Sequence, residues 1–331
     1  MEDFQKFLNV KLTEKRLTEI DYFRGFTIVL MVFVNFIASS SSTPIWLKHA
    51  KDIGLTITDL VAPAFIYAIG LTYKSSFARR YIKNGKNEAY YHFITRFLAI
   101  MGLGAFFTAG AAIVSPEVAR GGWGVLQAIG ASGLITLIFI RLKSYVRLII
   151  GLALLIAYQI ILDKFFLSLV LNSEHGGLFA SISWSALMIL STFFSDIFYD
   201  KKLKKPVFLS ISLIFLILGI FLHKYFPISK HRISISYVLL SLGVSSFAFY
   251  FFYLISKIKF IKLNFLSWWG QNPLFLYLLH IVLLGITFIP VNMKLFSTAP
   301  FYIIFIEFIC FFTILSVMAY ILFKKKIYIK I

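Results

Sequence analysis

The sequence predicts an all-α, polytopic membrane protein: a bundle of about ten transmembrane helices with both termini cytoplasmic. Three observations carry that expectation. Hydrophobic residues make up 60% of the 331 and charged residues only 14%, where a soluble domain is near half apolar and about a quarter charged. The apolar residues come in blocks of about twenty, the length a helix needs to cross about 30 Å of hydrocarbon. The 33 Lys and Arg residues lie in short clusters between those blocks.

Taken in order, the spans are expected at 22–40, 57–78, 91–113, 122–141, 145–163, 178–198, 206–225, 232–256, 268–290 and 299–323. "SSSSTP" (39–44) ends the first. Pro206 and Pro300 stand near the starts of the seventh and tenth, where a missing N–H costs little. No internal repeat or long linker divides the chain. One membrane domain, 22–323, is therefore expected between a cytoplasmic N-terminal segment, 1–21, and a basic cytoplasmic tail, 324–331. Residues 1–21 have no apolar h-region, so no cleaved signal peptide is expected and the first span would direct insertion.

The loops set the orientation. One side collects Lys6, Lys11, Lys15, Arg16 and Arg24, then Arg79, Arg80, Lys83 and Lys86, then Arg141, Lys143 and Arg147. It continues with "KKLKK" (201–205), Lys257, Lys259, Lys262 and "KKK" (324–326). The other side holds Lys48, Lys51, Arg120, Lys164, Lys224, Lys230, Arg232 and Lys294. By the positive-inside rule the first side is cytoplasmic, and the loop carrying His49 faces outward. A multi-pass protein of the cell membrane is expected.

The net charge of +19 follows from this topology. A nucleic-acid binder would gather its cations on one face of a soluble domain, so nucleic acid is excluded as a partner. The single Cys310 allows no intrachain disulfide. There is no Walker loop, H-E-x-x-H or paired Cys, and no metal is expected. "GLGAFFTAG" (102–110) has no preceding strand and reads as glycine-mediated helix packing.

Polar side chains inside the membrane need a reason. Asp21 and Arg24 open the first span at i and i+3, as an interfacial ion pair or as a site where Arg24 meets an anionic cytosolic substrate. Asn35 stands eleven residues on, about 16 Å up the helix, at the depth of Asp59. It can hold two helices together, hold a substrate or orient His49. His49 and Asp59, ten residues apart, suit a general base and the carboxylate that fixes its tautomer. The plain alternative is a solvated loop histidine and an N-terminal helix charge. Arg96 lies near the start of its span and can snorkel to the cytoplasmic surface. Gln127 and Ser132 sit in the fourth span and Asn272, Tyr277 and His280 in the ninth, with Tyr277 and His280 on one face. Glu307, deeper in the tenth, needs a partner or a proton.

Several stretches then show a resemblance. "RLTEIDYFRGFTIVLMVFVNF" (16–36) and "WLKHA…GLTITDLVAPAFIYAIG" (46–70) resemble the opening segments of the transmembrane acyltransferases that include heparan-α-glucosaminide N-acetyltransferase. "GVLQAIG" (124–130) resembles their G-V-L-Q motif, and "WWGQNPLFLYLLH" (268–280) a segment common in bacterial relatives. The resemblance implies transfer of an acyl group, classically from cytosolic acetyl-CoA or another acyl-CoA, to an amine or hydroxyl of a saccharide or glycolipid across the membrane. It implies His49 as the active histidine, as general base or transient acyl carrier, with Asn35 and Asp59 beside it. Arg24, Arg96 and Gln127 are the candidates for holding the CoA co-substrate, and Asn272, His280 and Glu307 are further site candidates.

Two departures limit the transfer. Ala128 stands where members often have Arg, and the acidic loop is reduced to "NSEHGG" (172–177). Heparan glucosamine is therefore not implied as the acceptor. The rivals are a transporter or flippase for a lipid-linked or anionic small molecule, and a non-catalytic membrane scaffold. A transporter commonly shows repeats and paired broken helices, and the sequence shows no clear pair. A homo-oligomer is compatible with all three.

Overall fold

The computed structural model describes residues 17–38, 40–114, 122–200, 202–258, 260–287 and 298–329. The N-terminal segment as far as Arg16, with Arg120, Lys201, Lys259 and Lys294, lies outside the described residues. Among the described residues the protein is all helical, with no strand.

Helix α1 (Thr18–Ile37) leads through two 3-10 turns, Ile45–Leu47 and Ile57–Leu60, into α2 (Val61–Asn84). Gly85 ends α2 at φ 88, its N–H capping the Tyr81 carbonyl, and α3 (Lys86–Val114) follows. Next come α4 (Val125–Phe139) and α5 (Ser144–Ile161), which continues through a π-turn (Leu162–Phe166) into α6 (Leu167–Leu171). Then come α7 (Gly177–Tyr199), α8 (Lys205–Leu222, with Pro206 in its first turn) and α9 (Ile235–Lys257, N-capped by Ser234). The chain closes with α10 (Asn264–Gln271), α11 (Pro273–Thr287) and α12 (Phe301–Lys324).

Among the described residues, seven helices are long and apolar enough to cross a membrane. They are α1, α3, α5 continued through α6, α7, α8, α9 and α12; the bent α10–α11 pair makes an eighth if counted as one span. The remaining expected spans are α2, which carries Lys74, Arg79, Arg80 and Lys83, and α4, with 15 residues. α7 is buried over most of its length and packs on α2, α4 and α5. α3, α8 and α12 present mostly exposed apolar faces.

The ninth expected span is not continuous. α10 and α11 meet at an angle of 82°. Pro273 begins α11, and a proline pushes the residue before it out of the helical region. Asn272 accordingly takes φ −127 and ψ 53. Its side chain fastens the break to the segment after α12: Nδ2 donates to the Ile327 carbonyl at 2.9 Å, and Oδ1 accepts from the Ile329 N–H at 2.8 Å. Asn272 is thus occupied as a backbone clasp.

A reciprocal glycine contact seats α10 on α1. A Cβ on Gly25 would lie 1.9 Å from the Leu266 carbonyl oxygen, and one on Gly270 would lie 1.9 Å from that of Asp21. The glycine after Arg24 is required by this approach, because only a missing Cβ lets the two backbones meet. Glu307 is exposed on α12. The buried stripe of that helix runs through Ile304, Phe308, Phe311 and Leu315 and leaves Glu307 outside it.

Candidate functional site

The 3-10 turn Ile57–Leu60 begins with a capping box. Asp59 Oδ2 accepts from the Thr56 N–H and the Thr56 hydroxyl, each at 2.9 Å, and from the Ala50 N–H at 3.3 Å. Such a box satisfies donors that a helix start leaves open. Tyr237 of α9 holds the turn in place, its hydroxyl donating to the Asp59 carbonyl at 2.6 Å. Asp59 is fully buried, and three donors occupy one carboxylate oxygen. The other oxygen, Oδ1, lies 2.7 Å from His49 Nδ1. That contact fixes Nδ1 as the protonated nitrogen of the neutral ring and leaves the Nε2 lone pair outward. The His49 side chain is 36% exposed.

A second loop, 223–234, closes over this one. The Gly54 N–H donates to the Ile228 carbonyl at 2.9 Å. Ser229 donates to Asp52 Oδ1 at 2.8 Å, and Arg232 Nε to the same oxygen at 2.9 Å. The Arg232 guanidinium holds the Asp52 carboxyl below its usual range. The clamp places Lys230 Nζ 3.2 Å from His49 Nε2 and 3.3 Å from Nδ1. Burial pushes the Lys230 ammonium down to about 8, against the pull of Asp59 and Glu174. Burial, followed by the Lys230 charge, also lowers the neighbouring His231.

Backbone strain gathers here. Ile233 is buried at φ 48, a conformation that a β-branched residue rarely adopts. His175, at φ 48, precedes Gly176 and Gly177, both also at positive φ. The two strained loops touch, since a Cβ on Gly176 would stand 3.4 Å from the His231 carbonyl oxygen. Strain of this kind persists only where the surroundings over-determine the backbone, and it clusters at functional sites.

The other candidates fall into separate groups. Asn35 Nδ2 and His280 Nε2 are 3.0 Å apart, joining α1 to α11, and Tyr277 packs on the His280 ring at 4.9 Å between centroids. Gln127 caps α4: its Oε1 accepts from the Gly124 N–H at 2.9 Å, and its Nε2 donates to Thr108 at 3.1 Å. It lines a cavity of about 220 Å³ together with Thr108, Glu174, His175 and Tyr277. It does not join Arg24 and Arg96. Those two share a different cavity, of about 200 Å³, with Arg79, Thr72 and Ser76. Arg24 donates there to the Thr72 hydroxyl. The buried Nε of Arg96 has no hydrogen-bond partner among the described residues.

The structure thus joins His49 to Asp59, Asn35 to His280 and Arg24 to Arg96. It adds Lys230, Asp52, Arg232 and Tyr237, none of which sequence reasoning selected. One signal was present in "SKHR" (229–232): two cations and a histidine crowd a short loop on the side that the positive-inside rule leaves poor in cations.

The chain is similar to known proteins over part of its length. The family model described as heparan-alpha-glucosaminide N-acetyltransferase, catalytic, matches residues 16–205, more than half of the chain. Heparan-alpha-glucosaminide N-acetyltransferase of Homo sapiens is 44% identical over 55 residues, which is 17% of this chain and 8% of that protein. The Mus musculus protein of the same name gives the same figures. The matched stretch is thus a small part of the length of both relatives.

Proposed function

The chain belongs to the heparan-alpha-glucosaminide N-acetyltransferase catalytic family, and from that premise we propose that it is a membrane acyltransferase using acyl-CoA. In this reading an acetyl group passes from cytosolic acetyl-CoA to an amine or hydroxyl of a saccharide or glycolipid on the other side. The observation that carries it is the His49–Asp59 pair at 2.7 Å, which turns Nε2 away from the carboxylate on a part-exposed ring. A base so oriented can take the proton of an incoming nucleophile while the carboxylate steadies the imidazolium. If His49 carries the acyl group itself, the same atom meets the thioester carbon.

The donor half is supported by the cavity with Arg24, Arg79 and Arg96. Guanidinium groups pair with phosphates through charge-assisted hydrogen bonds, and the buried Arg96 Nε has a bond left to make. Cytoplasmic termini and an outward His49 loop belong to this reading. So do about ten spans, with α2, α4 and the bent pair counted beside the seven.

Release of free CoA by the purified full chain tests it, with acetyl-CoA as donor and glucosamine or glucose as acceptor probe. Release that vanishes in His49→Ala, with the fold retained, supports the reading, and the preferred sugar separates N- from O-transfer. Equal release from both proteins removes His49 from its role. A transporter gains one broken helix from the α10–α11 bend. That bend is clasped at Asn272 by the segment after α12, and absence of CoA release with sugar flux across vesicles would favour the transporter.

A further inference from the structure

Lys230 stands against the ring of the base. With Nδ1–H given to Asp59, the Nε2 lone pair is the one acceptor left on the ring, and the ammonium lies beside it, 3.2 Å from Nε2 and 3.3 Å from Nδ1, off the axis of that lone pair. Lys230 is only 9% exposed, and its loop falls outside residues 16–205, the stretch matched by the family model. Asn35, expected beside His49, has its amide directed at His280.

We propose that Lys230 is a catalytic residue: standing beside His49 Nε2, it donates to the thioester carbonyl oxygen as negative charge develops there. This rests on His49 being the acyl-transfer base. In the step, His49 Nε2 takes the proton from the acceptor N–H or O–H, and the acceptor atom bonds to the carbonyl carbon. The C–S bond then breaks, and the CoA thiolate leaves with the proton returned by the imidazolium. Lys230 gives a hydrogen bond and keeps its protons. An oxyanion that forms two bonds beyond the atom facing Nε2 falls within the reach of an ammonium beside that nitrogen. If His49 is acylated first, the oxyanion is nearer still.

The loop is built to hold this donor still, as electrostatic stabilisation requires. Asp52 pins it through Arg232 and Ser229, and the carbonyl of the strained Ile233 accepts from the Ser183 hydroxyl at 2.8 Å. Among the described residues, the titratable groups facing Lys230 are His49 and Asp59 from the first loop, Glu174 and His175 from the loop before α7, and His231 beside it. Asp52 and Arg232 neutralise one another.

The test is the pH dependence of CoA release from acetyl-CoA, with glucosamine as acceptor probe, for the wild-type chain, Lys230→Met and Lys230→Arg. Wild-type turnover should fall above about pH 8, as the ammonium loses its proton. Lys230→Met should lower kcat by about 100-fold, the usual effect of removing one oxyanion donor, leave KM for acetyl-CoA unchanged and show no alkaline fall. Lys230→Arg, whose charge does not titrate in this range, should also lose that fall. A Lys230→Met protein with wild-type turnover, or with the alkaline fall intact, overturns the assignment. If Lys230→Met fails to fold, an alkaline fall persisting in Lys230→Arg does the same. No release from the wild type removes the acyltransferase reading itself; release from the wild type with unchanged variant profiles removes only the role of Lys230.

Discussion

His49 Nδ1 and Asp59 Oδ1 lie 2.7 Å apart, and the second oxygen of that carboxylate is consumed by the capping box that starts its turn. One residue therefore both builds the loop and orients the base. Asp59→Asn keeps the volume but loses the charge and one acceptor oxygen. Under the proposed chemistry it should slow CoA release by about 10³–10⁴-fold, as in other histidine–carboxylate pairs. The unfolding temperature should fall too, because a donor of the box is left unsatisfied at a cost of about 1–3 kcal/mol. Wild-type turnover in a folded Asp59→Asn chain would sink the pairing as a mechanism.

Arg96 is the sharpest probe of the donor cavity. A charged hydrogen bond is worth about 1.5–3 kcal/mol. Arg96→Met should therefore raise KM for acetyl-CoA by about 10-fold or more while kcat stays close to wild type. The wild-type KM should rise with ionic strength, and the variant should lose much of that dependence. Initial rates across a salt series read both effects, and an unchanged KM would place CoA elsewhere.

Gly25 offers a test of the fold that needs no substrate. A Cβ there would stand 1.9 Å from a backbone oxygen, and neither helix has a flexible side chain to yield. Gly25→Ala should cost about 3 kcal/mol or more, enough to empty the monodisperse fraction on size-exclusion chromatography. Gly270→Ala should behave alike. A Gly25→Ala chain with wild-type thermal stability would contradict the reciprocal contact.

The fourth prediction concerns stability and pH. Lys230 titrates near 8 in the fold, below its ordinary 10.5. Between those values the unfolded chain binds more protons than the native one, so stability rises with pH across that window. Below about 8 the burial penalty on the charge is present in full. The unfolding temperature of Lys230→Met minus that of the wild type should therefore be greatest at neutral pH and shrink as pH climbs toward 10. Differential scanning calorimetry in detergent from pH 7 to 10 reads this directly. A constant difference would mean that Lys230 keeps its ordinary ionisation.

What could be read from the sequence follows physical range. Hydrophobic blocks made the all-α membrane class legible, and a ten-residue spacing sufficed for His49 and Asp59 because one short loop joins them. Lys230 is 181 residues from His49, and no local pattern carries that encounter. Asn35 was placed at the right end of α1, but its partner is His280, 245 residues away. The break at Asn272 was legible in the N-P dipeptide and was overridden by the apolar run around it. The outward face of Glu307 was not legible, because depth along a helix says nothing of which way the helix turns in the bundle.

The clasp at Asn272 also bears on how the protein is made. Its two backbone partners lie 55 and 57 residues further along the chain. While α10 and α11 are being threaded into the bilayer, α1 already offers each a seat, through Gly25 and through Asn35, but the clasp has no partner yet. It can close only after α12 has been synthesised and its following segment has folded back. The ninth segment should therefore acquire its last fastening late in biogenesis. A ribosome stalled before Ile327 would hold a chain with that clasp still open.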